Sequence, residues 1–176
     1  MKAYLVMVAA LIVPTCSWAE CQLISNQQKV TYSKLSAAER QQAGSEAISL
    51  PEKQIQLQVV CSEPHRIRLL LGSNLSQNGT FSLGDQGEML ITASSAYVDD
   101  QPVHIALVQS SDATPLSSGS KEMSVALNQG LAFMNGEEIV GKTASVSLSV
   151  ASKIKPGNIT ERTTWRGNLN IKLDVQ

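Results

Sequence analysis

The chain has 176 residues, a formal net charge of −1, 16% charged residues and 4% aromatics. It therefore lacks the basic tract that nucleic acid or an anionic membrane would need and the acidic tail that would draw a cationic ligand. So few aromatic rings also argue against an aromatic platform for stacking sugars.

Residues 1–19 read as a secretory signal. Lys2 supplies a short positive region, Tyr4–Val13 an apolar run of the usual length, and Pro14 stops any continuing helix. Ser17-Trp18-Ala19 then places small residues at the −3 and −1 positions before Glu20. The apolar run is too short to cross a bilayer, and no later segment reads as a membrane helix. Cys16 invites a lipidated signal, but Thr15 stands where such a signal wants Gly, Ala or Ser. Cleavage after Ala19 discards Cys16 and leaves Cys21 and Cys61, which are expected to pair in an oxidising compartment. Residues 20–176 are expected to form one domain.

Ser36-Ala37-Ala38-Glu39 has the form of a capping box, and Gly44 can end the turn that follows, so one short helix is expected near residues 37–43. Strand signals dominate afterwards. Ile55–Val59 alternates with period two and runs into Val60-Cys61; Glu63-Pro64 reads as a turn before a second strand, Arg66–Leu71, stopped at Gly72. Ser73–Thr80 is a polar loop. Phe81–Leu83 and Met89–Thr92 flank the turn Gly84-Asp85-Gln86-Gly87. Tyr97-Val98 and Val103–Val108 flank Asp99-Asp100, read as another turn.

Ser110–Ser120 is a serine-rich surface loop, and Leu131–Met134 and Glu138–Val140 bracket Asn135-Gly136, the dipeptide of tight hairpins. Ala144–Val150 alternates again. In the closing segment Thr164–Val175, the residues Leu169, Ile171, Leu173 and Val175 share one face, with Asn168, Asn170, Lys172 and Asp174 on the other. Many short strands between turns predict an all-β sandwich whose strands bury one face each.

Gly136–Thr143 fits the P-loop pattern letter for letter. A phosphate cradle requires a helix after the loop, however, and Ala144–Val150 has strand periodicity. Glu137 and Glu138 would also set carboxylates where phosphates should lie. His65 and His104 have no partner motif for a metal. No Gly-x-Ser-x-Gly elbow appears. The residues thus indicate no catalytic group, no metal and no cofactor, and the chain is read as not an enzyme.

The spacing of Cys21 and Cys61 resembles the bridge of chaperone–usher pilins, which ties the first strand to the second. Val30-Thr31-Tyr32, Val59–Pro64, Ala96–Val103, Leu148-Ser149-Val150 and Thr164–Gly167 are similar to a bacterial fimbrial-like family of unknown function. The resemblance implies an immunoglobulin-like sandwich lacking its final strand, whose open groove is filled first by a periplasmic chaperone and later by another fimbrial subunit. It assigns Leu169, Ile171, Leu173 and Val175 to one edge of that groove. It implies export to the periplasm or to a fimbrium at the bacterial cell surface, with an outer-membrane usher as a further partner. After cleavage only Glu20 precedes Cys21, so the chain is expected to accept a strand rather than give one, as a minor or terminal subunit. Pilins commonly carry an aromatic at the penultimate position; here it is Val175, and Gly167 lies nearer the end than their usual glycine. The alternative reading is a self-contained periplasmic or surface binding module with a complete sandwich.

Overall fold

The computed structural model describes residues 21–25, 29–32, 46–74, 76–77, 79–84, 87–155 and 165–176. The expected signal at 1–19 and the expected helix near 37–43 lie outside the described residues. Within them the chain is strand and turn without helix, and every strand pairing is antiparallel. The strands are β1 (Cys21–Ser25), β2 (Lys29–Tyr32), β3 (Ile48–Gly72), β4 (Ser76–Gln77), β5 (Thr80–Leu83), β6 (Gly87–Val98) and β7 (Gln101–Pro102). There follow β8 (His104–Val108), β9 (Glu122–Val125), β10 (Gly130–Asn135), β11 (Glu137–Glu138), β12 (Val140–Ile154), β13 (Trp165–Asn168) and β14 (Asn170–Val175).

The organising strand is β3, 25 residues long. Its first limb alternates cleanly: Ile55, Leu57 and Val59 are fully buried, while Gln54, Gln56 and Gln58 face water. This limb pairs with β1 on one edge and β12 on the other. Its second limb, from Ile67, pairs with β14 and β10.

Between the limbs the register against β12 jumps from Thr143↔Val60 to Gly141↔His65. Pro64, which has no N–H to give, falls in that irregularity, the place where a strand tolerates proline. Glu63-Pro64 is therefore not the chain reversal expected from sequence. It marks a passage from one layer of strands to another within a single continuous strand. The sheet consequently curls: β1, β3, β12 and β6 run on through β5 and β13 to β2, while β14, the far limb of β3, β10 and β8 form the second array.

One large apolar cluster fills the inside, with Phe81, Phe133, Leu148 and Ile91 among its fully buried members. A second, smaller cluster of Ala106, Val108, Ala132 and Met134, with Leu70 against it, lies apart from the first.

The turn expected at Asp99-Asp100 is a two-residue hairpin joining β6 to β7, with Val98 opposite Gln101. Both aspartates have positive φ, 47° and 62°, as a type I′ turn demands. Gly136, at φ 79°, turns β10 into β11 after Asn135. The closing segment departs from expectation: it is two strands, broken at Leu169, with β13 in the first array and β14 in the second.

Cys21 and Cys61 stand directly opposite each other across β1 and β3, and their sulfurs are bonded, with Cα atoms 4.1 Å apart. The bridge spans a sequence separation of 40 residues. In the chain-entropy picture such a link stabilises the fold by about 4 kcal/mol. Replacing both cysteines by serine should lower the urea-unfolding free energy by roughly that amount. An unchanged midpoint would mean that the bridge is energetically idle.

Candidate strand-acceptor groove

The two ends of the chain's ladder system form a fork. β2 and β13 pair in register from Tyr32↔Trp165 to Lys29↔Asn168. Beyond that point the strands part. On one side the chain belongs to β1, paired with the first limb of β3; on the other it passes through Leu169 into β14, paired with the second limb. Residues 57–60 of β3 carry β1 and β12 on opposite edges, and residues 68–70 carry β14 and β10. Because β10 and β12 follow one another along one edge of β3, β1 and β14 share the other. The bend in β3 then sets them on different layers with an opening between them.

A cleft of about 220 Å³ lies in this opening, lined by Leu23 and Ser25 from β1 and by Leu169, Asn170 and Ile171. Leu169 is buried at the crotch of the fork, 5% exposed. Ile171, Leu173 and Val175 follow on alternate positions of β14, half-buried against the main core. Ile171, Leu173 and Val175 share one face of β14, while Leu169, expected with them, lies at the break before that strand. Leu23 of β1 packs against the same core from the opposite tine and was not anticipated. Its signal was available: Cys21 and Leu23 alternate with the exposed Gln22 and Ile24.

The chain treats its sheet edges unequally. The outer edge of β8 is covered by the serine-rich loop: Ile105 and Ser120 exchange backbone hydrogen bonds of 2.7 and 2.9 Å, and Leu116 N–H donates to Leu107 O at 2.9 Å. Covered edges do not recruit foreign strands. Along β1 and β14, among the described residues, each strand pairs with β3 alone.

The rim at β14 is held stiffly. Arg68, 2% exposed, lies opposite Asp174 of β14 and points away from the main core. Its Nε and Nη2 donate to the two carboxylate oxygens of Glu138 at 2.6 and 2.7 Å. Its Nη1 donates to the carbonyls of Ser111 and of Ala113, the latter at 2.8 Å. Glu138 raises the Arg68 pKa above the ordinary arginine value, against the opposing effect of burial, with Asp174 and Asp112 adding to the rise. A raised value means that the stabilisation is fully present below the unfolded arginine pKa and is lost only above it, beyond ordinary working pH.

Gln176 completes the clamp. Its backbone exchanges hydrogen bonds with Arg66 at 2.9 and 3.1 Å, and its side chain donates to Ser111 O at 3.1 Å. One buried guanidinium thus joins β3, β11 and the loop, while Gln176 ties the end of β14 to that loop. Sequence reading placed Arg68 only within the strand Arg66–Leu71 and gave it no role.

The P-loop string has a different use. Val140–Ile154 is strand, and the backbone N–H groups of Lys142 and Thr143 donate to Asp99 Oδ1 at 3.0 and 2.8 Å. A Cβ on Gly141 would lie 2.3 Å from Val98 Cγ1, so the glycine lets β12 pass close to the Asp99 turn. His104 is exposed on β8, and His65 lies within β3 with its Nε2 buried and unbonded. Among the described residues no group of His, Cys, Asp and Glu could hold a metal ion.

Fold and cleft together define a disulfide-tied, all-β antiparallel protein. No described helix is long and apolar enough to cross a membrane. The chain is 34% identical over 164 residues to the uncharacterized protein YhcE of Escherichia coli (strain K12), an alignment covering 90% of each. It belongs to the family of that protein. No protein-family model matches it.

Removing one partner of a buried ion pair strands the other in low dielectric, at a cost of about 3 kcal/mol. Glu138→Gln and Arg68→Met should each destabilise the protein by about that much in chemical denaturation, whereas the double variant should recover part of the loss. Strict additivity of the two would show that the groups do not act as a pair.

Proposed function

We propose that this chain is an exported fimbrial-like subunit that accepts a β-strand from another protein in the groove between β1 and β14. The observation that carries the reading is the half-buried row Ile171, Leu173 and Val175 on a strand whose outer edge has no neighbour among the described residues, beside a cleft opening toward Leu23. An entering strand would take backbone hydrogen bonds from one or both rims and set alternate apolar side chains between the layers. A periplasmic chaperone would be its first occupant and a strand from another fimbrial subunit its second, with an outer-membrane usher overseeing the exchange. The disulfide is compatible with an oxidising compartment. In this assembly the chain acts as a minor or terminal acceptor, by protein contact rather than catalysis.

The test is co-expression of the exported chain with a chaperone of the chaperone–usher type. A one-to-one complex is expected, with amides of β1 and β14 gaining hydrogen-exchange protection. Leu173→Asp should weaken the complex at least roughly tenfold, since a carboxylate cannot be buried cheaply in such a groove. A stable monomer that binds no chaperone and already protects its β14 amides would refute strand acceptance. That result would leave the self-contained binding module.

A further inference from the structure

We infer that a second cleft, on the loop-bearing side of β14, binds a saccharide that carries a carboxylate. The cleft has a volume of about 390 Å³ and lies between β14, the end of β3 and the loop segments at 109–111 and 128. That volume falls within the range of small-molecule sites. It shares Asn170 and Ile171 with the groove, but Lys172 and Leu70, directly paired across β14 and β3, line this cleft and not the groove. The inference does not rest on strand acceptance.

The lining chemistry is selective. Gln109, Asn128 and Asn170 bring three carboxamides, each offering donors and an acceptor in one plane, the complement of adjacent sugar hydroxyls. Ser111 adds a hydroxyl, and Leu70 an apolar surface for the C–H face of a pyranose ring. Lys172 is the one ionic side chain among the lining residues, and among the described residues its ammonium enters no ion pair. A cation in no ion pair among the described residues, set among neutral hydrogen-bonding groups, fits a polyhydroxylated ligand that carries a carboxylate.

The walls are built before any ligand arrives. The Ser111 carbonyl is fixed by the buried Arg68, and Asn170 Nδ2 donates to Asn74 Oδ1 at 2.6 Å. Asn128 holds a left-handed conformation, φ 62°, next to Gln129, whose side chain accepts from Ala126 N–H at 2.9 Å. Fixed walls reduce the ordering cost of binding.

Titration of the disulfide-bonded protein by calorimetry with a hexuronate oligosaccharide, a sialylated oligosaccharide and a neutral oligosaccharide of equal length tests the site. At least one acidic sugar should bind roughly tenfold more tightly than the neutral one, the increment of one charge-assisted hydrogen bond. Whichever acidic sugar binds tells a hexuronate polymer from a sialylated glycan as the source. Lys172→Met, at an exposed position, should erase the difference, and Gln109→Ala should weaken all binding. If neither acidic sugar binds, or if Lys172→Met leaves the preference intact, the inference is wrong.

Discussion

Everything in this fold depends on β3 remaining one strand through a change of layer. Its first limb buries Ile55, Leu57 and Val59, and its second buries Ile67, Leu69 and Leu71, so the same strand supplies core side chains to both arrays. The irregularity around Pro64 redirects the strand without breaking it. Since β10 and β12 take one edge along the two limbs, β1 and β14 are left to share the other, and the bend parts them. The opening between β1 and β14 is a geometric consequence of that single deflection.

The interactions that surround the opening divide into two kinds. At its first rim, the covalent link of Cys21 to Cys61 holds β1 to β3. The second rim is polar and cooperative: Arg68 ties Glu138 to the serine-rich loop, and Gln176 ties the end of β14 to the same loop. Because that loop also covers the β8 edge, its position matters to the rim and to that edge at once. A segment that reads as a polar surface loop is therefore a structural strap. The guanidinium that pins it is nearly removed from water, where an ion pair is worth keeping only if its hydrogen bonds are fully used. Those of Arg68 go to a carboxylate and to loop carbonyls.

Local strings meant less than their setting. Gly136–Thr143 satisfies a phosphate-binding pattern, yet strand β12 follows it and its amides serve the Asp99 carboxylate. The same Asp99 was legible as a turn residue, and it is one, in a type I′ hairpin where two consecutive positive φ values suit short polar side chains. What sequence could not supply was the second role of Asp99, accepting hydrogen bonds from a strand more than forty positions away.

Alternation of apolar and polar residues determined, by itself, which face of the first limb of β3 and of β12 is buried, because a strand's side chains alternate whatever its neighbours are. Cys21 and Cys61, expected from the sequence to pair, form the bridge. The row Ile171, Leu173 and Val175 was likewise readable as one face. Tertiary structure alone decided that Glu63-Pro64 redirects a strand rather than reversing it, and that the closing segment splits at Leu169 between two layers. It alone decided that Arg68 is buried. The reason is the same in each case: periodicity fixes the side of a strand, whereas edges, layers and the burial of a solvent-facing residue depend on which distant segment lies alongside.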